Sequence, residues 1–337
     1  MKTVVITGCA GLIGSHFSRH LLKCGYKVVG IDDLSGGYEE YLPNNKDGQF
    51  EFWPVNLSED SGISTLEHIF IDPRRNIKAC YHFAAYAAEG LSPFIRNFNY
   101  KNNVISSANV INACVNFGIK LIFTSSMAVY GDQNPPFNED MIQCPIDPYG
   151  VAKYAIEMDI KIAGEQHGLR YNIVRPHNVV GIYQNIWDRY RNVVGIFIRR
   201  VIDGQPILVY GDGNQTRAFS DIQYYMAPFE QMIDSHDGEV FNIGADKSCT
   251  INELANIVYE IGKENGYNVS IQHVEPRHEA KHAFCDHTKA KNYLNFNDNT
   301  NLSQLVEEMF KWALTQPKRQ QKNMNYEIKK GIYDYWK

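Results

Sequence analysis

Three side chains in the middle of the sequence are of the types that take a proton from an alcohol. Tyr149 and Lys153 are four residues apart in a segment with helical periodicity, so both lie on one helix face. Ser126 follows the apolar run 120–124, which has the composition of a buried strand. A phenol has a pKa near 10 and becomes a base near neutral pH only if that pKa falls by about three units, or about 4 kcal/mol. A nearby ammonium supplies part of this stabilisation, and a serine hydroxyl could hold the alcohol in place.

Tyrosine and lysine at this spacing are usually an ordinary structural pair on a helix. Other features of the chain must show whether this pair is catalytic. The apolar run 4–6 predicts a buried strand, and Gly8, Gly11 and Gly14 follow it before a segment with apolar residues at helical intervals. This order is typical of a dinucleotide site, because the glycines let the backbone approach a pyrophosphate and the helix N-terminus attracts its charge. A bound dinucleotide would accept the hydride that leaves with the proton.

Two carboxylates, Asp32 and Asp33, end the next apolar run, about 20 residues after the glycines. A carboxylate there accepts hydrogen bonds from the hydroxyls of an adenosine ribose and repels a 2′-phosphate. Residues 34–38 include no arginine or lysine that would bind such a phosphate. The sequence therefore predicts NAD rather than NADP. The alternative is that these residues are ordinary turn glycines and a surface aspartate. That alternative does not explain why both their spacing and their strand–turn–helix context match a dinucleotide site.

Strand and helix patterns alternate through the first half of the chain. Strands are predicted at about 50–55, 79–83, 120–124 and 171–174, and helices at about 99–117 and 149–167. Repeated β-α-β units build an α/β fold with a doubly wound parallel sheet of the Rossmann type. After residue 175 the alternation breaks, and shorter elements, including a strand at 239–243, predict a smaller mixed α/β domain. We predict an NAD-binding domain at 1–175, a substrate-binding domain at 176–315, partly interleaved with the first, and a tail at 316–337 whose order the sequence leaves open.

Composition limits the partners of the protein. With 337 residues, a formal net charge of −5 and a pI of about 6.1, the chain is not expected to bind nucleic acid. No apolar run approaches the roughly 20 residues of a membrane span, and the chain enters its first strand without room for a signal peptide. The seven cysteines form neither a CxxC pair nor a metal-binding spacing with histidine. Most of them are expected to be buried thiols, in a cytoplasmic protein that binds no metal.

A series of motifs follows one another in a fixed order over roughly residues 3–290. They are Thr7-Gly8-x-x-Gly11-x-x-Gly14, Asp32-Asp33, His82-Phe83-Ala84-Ala85, Asn103, Ser125-Ser126-Met127-Ala128-Val129-Tyr130-Gly131, Tyr149-x-x-x-Lys153, Arg175-Pro176-His177-Asn178-Val179-Val180-Gly181, Gly211-Asp212-Gly213-Asn214-Gln215-Thr216-Arg217 and Phe241-Asn242-Ile243-Gly244. As a set they resemble the extended short-chain dehydrogenase/reductases of the nucleotide-sugar epimerase/dehydratase family.

That resemblance implies a tightly held and recycled NAD and a nucleoside-diphosphate sugar bound between the two domains. The cofactor contacts that it implies are Gly8, Gly11, Leu12, Ile13, Gly14, Asp32, Asp33, Asn56, Leu57, Phe83, Ala84, Ala85, Asn103, Tyr149 and Lys153. The implied substrate contacts are Ser126, Asn178, Arg217 and Arg277, with the two arginines on the diphosphate. Ser126, Tyr149 and Lys153 are the implied catalytic residues.

Met127 and Ala128 narrow the choice of reaction. Dehydratases of the family carry an acidic pair at these positions, and the decarboxylases tend to carry a glutamate beside the serine, whereas Met127 and Ala128 cannot transfer protons. The remaining pattern is similar to that of UDP-glucose 4-epimerases, which need one tyrosine base and a reversible hydride transfer. The resemblance thus implies a 4-epimerase of a UDP-hexose or a UDP-N-acetylhexosamine. Ala283, at a position that sets the pocket size in such enzymes, favours room for an N-acetyl group.

Three alternatives remain open at this point: a GDP- or CDP-sugar epimerase, a net nucleotide-sugar 4-dehydrogenase that releases NADH, and a non-catalytic NAD-binding scaffold. The intact Ser126, Tyr149 and Lys153 argue against the scaffold. Two departures from the family pattern are Asn56, where an aspartate is expected, and the unusual Glu89. Helices at 99–117 and 149–167 resemble the pair through which relatives dimerise, so a homodimer is expected.

Overall fold

Short apolar runs and helical patterns alternate along the chain, as the sequence predicts. The structure is a computed structural model that describes residues 1–45, 48–320 and 323–337. In these ranges the strands β1 to β14 are, in chain order, Thr3–Thr7, Lys27–Asp32, Phe50–Pro54, Ile77–His82, Lys120–Thr124, Tyr171–Pro176, Val179–Val180, Ile207–Tyr210, Thr216–Ala218, Ser220–Asp221, Glu239–Ile243, Ser248–Thr250, Ile271–Val274 and His282–Ala283. The helices α1 to α10 are Leu12–Lys23, Asp60–Phe70, Arg96–Tyr100, Ser106–Phe117, Pro148–His167, Val193–Ile202, Met226–Gln231, Ile251–Glu264, Thr288–Leu294 and Leu302–Leu314.

A seven-stranded parallel sheet in the order β11-β6-β5-β4-β1-β2-β3 carries the main core. All five residues of β1 are buried, which explains why this strand reads as an unbroken apolar run. The chain winds outward from β1 through β2 to β3 and then returns to β4 on the other side of β1. A crevice therefore opens between the carboxyl ends of β1 and β4, where ligands bind in sheets of this type. The predicted doubly wound sheet is confirmed.

One strand of the main sheet comes from beyond residue 175. β11 pairs with β6 in parallel, from Glu239 beside Asn172 to Ile243 beside Pro176. The preceding helix α7 packs its Phe229 against Phe17 of α1, with ring centroids 5.5 Å apart. This part of the second half of the chain therefore shares the core of the seven-stranded sheet.

A second apolar core lies beside the main sheet. Helices α6, α8 and α10 enclose it together with the paired strands β8 and β13. Helix α8 begins with a capping box in which Thr250 and Glu253 each bind the other's backbone amide, as the sequence pattern indicates. A three-stranded sheet, β12-β9-β14, carries Arg217 from this part of the molecule to the crevice.

The C-terminal tail is packed against the residues beside the crevice. Trp336 is buried, and its ring lies 5.9 Å from that of Phe94. The Glu327 carboxylate accepts hydrogen bonds from the amides of Asn97 and Phe98, in the first turn of α3. A negative charge at a helix N-terminus is stabilising, so this contact fastens the tail to α3. None of the helices in the described ranges has both the length and the apolar character needed to cross a bilayer.

Candidate active site

One cavity of about 410 Å³ occupies the crevice between the two cores. Its walls contain every predicted catalytic, cofactor and substrate residue except Asn103. Those residues are Gly8, Gly11, Leu12, Ile13, Gly14, Asp32, Asp33, Asn56, Leu57, Phe83, Ala84, Ala85, Ser126, Tyr149, Lys153, Asn178, Arg217 and Arg277. The fold thus brings together residues that are far apart in the sequence.

The glycine turn between β1 and α1 is shaped to take a phosphate. Gly8 has a φ of 72°, and a Cβ there would lie 2.6 Å from the amide nitrogen of Ala84. Gly14 is equally restricted, because a Cβ would collide with the carbonyl oxygen of Gly8. Gly11 is the N-cap of α1 and provides no side-chain cap for the first amides of the helix. Those amides face the cavity with the positive end of the helix dipole, which suits the diphosphate of NAD.

The two aspartates at the end of β2 are held by backbone amides. Asp32 accepts hydrogen bonds from the amides of Ala10 (2.9 Å) and Leu34 (2.8 Å). Burial raises the pKa of its carboxyl, and these two bonds oppose that effect. Asn56 donates through Nδ2 to Asp33 (3.0 Å), so the asparagine found in place of the expected aspartate fixes the second carboxylate.

Ser126, Tyr149 and Lys153 meet where β5 ends beside the start of α5. Ser126 caps the turn that follows β5, accepting a hydrogen bond from the amide of Ala128 (3.1 Å). Lys153 is buried, donates to the carbonyl oxygen of Thr124 (2.7 Å) and lies 5.9 Å from the centre of the Tyr149 ring. Asp147 caps α5 through the amide of Gly150 (2.9 Å), which sets where the helix begins.

Burial and neighbouring charges shift the pKa values of Tyr149 and Lys153. Burial raises the pKa of the Tyr149 phenol, and the charge of Glu89 raises it further, while a hydrogen bond with Ser126 and the charge of Arg191 lower it. Burial lowers the pKa of Lys153 to about 7, against the opposing charge of Glu157. Without a bound cofactor the protein groups therefore leave the phenol pKa above its ordinary value, and the predicted lowering, which also needs the positive charge of the nicotinamide ring, stays a prediction.

A buried ion pair lies beneath the catalytic residues. Arg175 and Glu157 are both fully buried, and two guanidinium nitrogens bind the carboxylate at 2.9 and 2.6 Å. Ser125 also donates to this carboxylate (2.5 Å). The pair joins β6 to α5 and holds the residue next to Ser126, so it positions the serine that the sequence predicts to be catalytic. Sequence analysis had used Arg175 only as part of a motif.

The opposite end of the cavity carries two arginines that share one carboxylate. Arg217 lies 3.0 Å and Arg277 3.4 Å from Glu279. Arg217 also donates to three backbone carbonyls, and the Arg277 guanidinium lies 4.3 Å from the centre of the Tyr210 ring. A planar guanidinium suits a diphosphate, which would compete with Glu279 for the two arginines.

Asn103 and Ala283 occupy places other than those expected. Asn103 is buried in a π-helical turn between α3 and α4, where its side chain binds the backbone of Tyr86 through both the amide (3.0 Å) and the carbonyl (3.3 Å). Asn103 therefore positions this part of the cavity wall, and its predicted contact with the cofactor stays a prediction. Ala283 is buried in an apolar cluster with Met127 and Cys285 instead of lining the cavity, so the argument for an N-acetyl group from its size does not hold.

Two charged residues of the cavity wall have no role assigned by the sequence analysis: Glu89, which it describes as unusual, and Arg191. Glu89 is exposed to the cavity at the start of the 3₁₀ turn Glu89–Phe94. The Arg191 guanidinium packs over Gly36, where a Cβ would lie 2.6 Å from Nη2, and over the ring of Tyr86 at 4.5 Å. The signal for both is a charged residue in a segment whose neighbours are predicted to surround a ligand.

A group of possible metal ligands lies outside the cavity. His20, Cys24 and Glu230 have ligand atoms within 4.8 Å of one another, a grouping that the sequence analysis did not foresee. His20 already hydrogen-bonds Glu230 at 2.7 Å, which accounts for the cluster without an ion.

A doubly wound sheet with this glycine turn and a serine, a tyrosine and a lysine in one cavity defines an extended short-chain dehydrogenase/reductase. The residues fit NAD, since the glycine turn leaves room for a diphosphate and acidic residues follow β2. The chain belongs to the NAD dependent epimerase/dehydratase family, whose profile matches residues 4–244. NAD is accordingly the cofactor.

Relatives and solved structures that carry an enzyme name align with nearly the whole chain. UDP-glucuronate 4-epimerase of Thermodesulfobacterium geofontis is 26% identical over 93% of this chain and 96% of its own length. The crystal structure of UDP-glucose 4-epimerase from Thermotoga maritima with UDP-glucose has a TM-score of 0.84 and 29% identity, covering 93% of this chain and 98% of that one. UDP-N-acetylglucosamine 4-epimerase from Methanobrevibacter ruminantium has a TM-score of 0.84 and 30% identity, covering 94% and 100% of the two chains.

Proposed function

We propose that the protein is an NAD-dependent 4-epimerase of a UDP-hexose or a UDP-N-acetylhexosamine. The observation that carries this proposal is the placement of Ser126, Tyr149 and Lys153 between the glycine turn and the paired arginines of one cavity. Such a cavity suits a sugar nucleotide whose hexose reaches the tyrosine while its diphosphate lies on the arginines. The similarity to 4-epimerases of UDP-sugars supports uridine as the base.

Tyr149 is the proposed base and acid. Its oxygen takes the proton of the sugar 4-hydroxyl and returns it after the keto sugar has turned over in the cavity. Bound NAD supplies a reversible hydride acceptor and a positively charged nicotinamide. That charge is what the protein groups lack, because burial and Glu89 keep the phenol pKa high without it. Ser126 orients the hydroxyl. Lys153 donates to the carbonyl oxygen of Thr124 at the end of β5, near the Tyr149 ring, and binds the cofactor there.

The arginine pair anchors the other end of the substrate. Arg217 and Arg277 release Glu279 when a diphosphate arrives, and two guanidinium groups then face two phosphates. Asn178, with its amide on the carbonyl of Ala218 (3.2 Å), lies between this end and the catalytic residues and contacts the sugar diphosphate. Fixing the diphosphate leaves the hexose free to present either face to the cofactor.

A turnover assay without added cofactor tests the proposal. Purified protein is offered UDP-glucose, UDP-galactose and their N-acetylamino counterparts in turn, and the sugar is followed by proton NMR. Interconversion of one pair without added NAD is the expected result, because the cofactor is retained and restored in each cycle. Failure with all four sugars would overturn the UDP assignment, and stoichiometric NADH absorbance at 340 nm would indicate a net dehydrogenase instead.

A homodimer formed through α4 and α5 is part of the proposal. Four large apolar side chains on this surface are 42–49% exposed: Ile105, Val151, Met158 and Ile162. The last three recur along α5 at intervals of seven and four residues, which places them on one face. A second copy of the chain covers that stripe by a symmetric contact between the same helices.

We further propose that the protein works in the cytoplasm, in carbohydrate biosynthesis. All seven cysteines are free, and Cys9, Cys80, Cys114 and Cys285 are buried thiols, which suits a reducing compartment. Fractionation of the source cells, with an antibody to the protein, tests the location.

A further inference from the structure

Glu89 is an acidic residue of the cavity wall that the proposed reaction does not use. Its backbone carbonyl accepts a hydrogen bond from the Ser92 hydroxyl (2.8 Å), and that hydroxyl also accepts one from the amide of Tyr149 (3.1 Å). One side chain thus fixes the Glu89 turn directly to the helix start that carries the catalytic tyrosine. The carboxylate itself is exposed to the cavity rather than bonded into the protein wall.

The other side of the same turn rests on the diphosphate end of the cavity. A Cβ at Gly90 would lie 3.0 Å from Nη1 of Arg277 and 3.7 Å from the ring of Trp336. The turn therefore packs between Trp336 of the C-terminal tail and Arg277, one of the two arginines proposed to bind phosphates. Glu89 is placed between Tyr149 on one side and Arg277 on the other.

A sugar nucleotide in this cavity must pass Glu89. Its diphosphate lies on Arg217 and Arg277 and its reacting hydroxyl lies at Tyr149, so the hexose spans the interval that Glu89 faces. We propose that Glu89 contacts the hexose and makes the site selective for uncharged sugars, hexose or N-acetylhexosamine, over sugars that carry a carboxylate. This inference rests on the proposed function and specifies its substrate class.

The chemistry of a carboxylate explains both parts of the selectivity. A carboxylate oxygen accepts hydrogen bonds from sugar hydroxyls or from the N–H of an acetamido group. The carboxylate of a uronate would instead bring a second negative charge into the same low-dielectric space, where like charges repel strongly. The arginines cannot relieve this repulsion while they bind the diphosphate. Burial, Asp147 and Glu279 raise the pKa of the Glu89 carboxyl to about 7, against the opposing charges of Arg217 and Arg277, so this carboxylate repels a uronate most strongly above pH 7.

A glutamine in place of Glu89 isolates the charge, because its size and hydrogen-bonding oxygen are retained. Wild-type protein and Glu89→Gln, both loaded with NAD, are compared in kcat/KM for UDP-glucose, UDP-N-acetylglucosamine and UDP-glucuronate. We expect wild type to prefer the better uncharged sugar by about 100-fold over the uronate, and Glu89→Gln to reduce that preference at least about tenfold, a size typical of one close charge pair. Glu279→Gln is the matched control, and it should change the preference much less than Glu89→Gln does, because the Glu279 charge is paired with Arg217 (3.0 Å) and Arg277 (3.4 Å).

Binding measurements separate failure of this inference from failure of the proposed reaction. Calorimetric Kd values of UDP-glucose and UDP-glucuronate on the NAD-loaded protein give the same ratio without turnover. Binding that discriminates against the uronate only while Glu89 is present supports the inference even if the NMR assay finds no epimerisation. Equal use or equal binding of glucose and glucuronate by wild type, or an unchanged ratio in Glu89→Gln, overturns it.

Discussion

The charge of Glu89 raises the pKa of the Tyr149 phenol, an effect second only to the burial of the phenol itself. The other protein groups that act on the phenol are Asp147, which also raises its pKa, and Ser126 and Arg191, which lower it. A base must be deprotonated to act, so every group that raises this pKa reduces the reactive fraction at neutral pH. Removing the Glu89 charge is therefore expected to shift the pH at which activity rises.

Replacing Glu89 with glutamine should move the rising limb of kcat to lower pH. The substitution removes a negative charge near the phenol, the phenolate becomes easier to form, and a given activity is reached at a more acidic pH. The measurement is kcat for the preferred uncharged sugar between pH 5.5 and 9 with saturating substrate. Glu89→Asp keeps the charge and should keep the limb near its wild-type position. A limb that stays in place in Glu89→Gln would show that the carboxylate does not act on the phenol.

Tyr149→Phe should reduce turnover by at least about a thousandfold, because phenylalanine retains the ring but cannot exchange a proton. The ring lies in a packed, buried position, so fold and NAD content should remain close to wild type. Turnover is followed by NMR, and NAD content by the absorbance of desalted protein. Substantial residual activity in a variant that retains its NAD would exclude Tyr149 as the base.

Residues whose role depends on local spacing could be predicted from the sequence. The glycine turn, Asp32 and the Tyr149–Lys153 pair are each defined by a few neighbouring positions, and each lies in the cavity wall as expected. The parallel sheet follows for the same reason, since buried strands alternate with amphipathic helices along most of the chain. The pKa of Tyr149 does not follow, because it is set by groups that are distant in sequence.

Long-range contacts set the features of the site and of the tail that local sequence patterns could not predict. Ser92 and Tyr149 are 57 residues apart, and their hydrogen bond helps to place Glu89 beside the phenol. Asn103 matches a family motif, but the π-helical turn around it directs its side chain to Tyr86. The tail has a polar, basic composition, and its order depends on aromatic contacts with the turn at Phe94 that no local pattern reveals.

Gly8→Ala should destabilise the protein more than Gly25→Ala, although both glycines have positive φ values of 72° and 83°. Each substitution costs about 1–2 kcal/mol for the left-handed backbone. Only at Gly8 does the added methyl also meet backbone, 2.6 Å from the Ala84 nitrogen, while nothing lies within 4 Å at Gly25. The midpoint of chemical denaturation and the retained NAD are measured for both. Equal losses of stability, with NAD retained by both, would contradict the tight contact.

Ile162→Lys should convert the proposed dimer to a monomer. The side chain is 43% exposed in the apolar stripe of α5, and a lysine there would place a charge in the interface between two copies. Ile142→Lys is the matched control, since Ile142 is 81% exposed and lies outside the two helices. Sedimentation velocity gives the mass of each variant. A wild-type monomer, or an Ile162→Lys dimer of unchanged affinity, would exclude this interface.

Arg191→Ala should release NAD from the protein. The Arg191 guanidinium packs on Gly36, just after the aspartates of β2, and its charge acts on both Asp32 and Tyr149. Asp32 is proposed to bind the adenosine end of the dinucleotide, and Tyr149 is proposed to face its nicotinamide end. Because the charge of Arg191 acts on both residues, we expect the Arg191 guanidinium to lie near the diphosphate that joins the two ends. Loss of one charge-assisted hydrogen bond of about 1.5–3 kcal/mol predicts a rise in the Kd of NAD of about 10- to 150-fold.

Arg189→Ala is the matched control for this prediction, because it removes the same charge two residues away. Arg189 donates to the carbonyl oxygen of Tyr335 (2.9 Å) and lines a neighbouring cavity with Arg199 and Arg200. Its loss should leave NAD in place, since it does not face the glycine turn. The NAD that remains after desalting and the calorimetric Kd of the stripped proteins give the comparison. If both variants keep NAD equally well, Arg191 acts on Asp188 and Tyr86 as a structural residue, and the glycine turn holds the diphosphate without it.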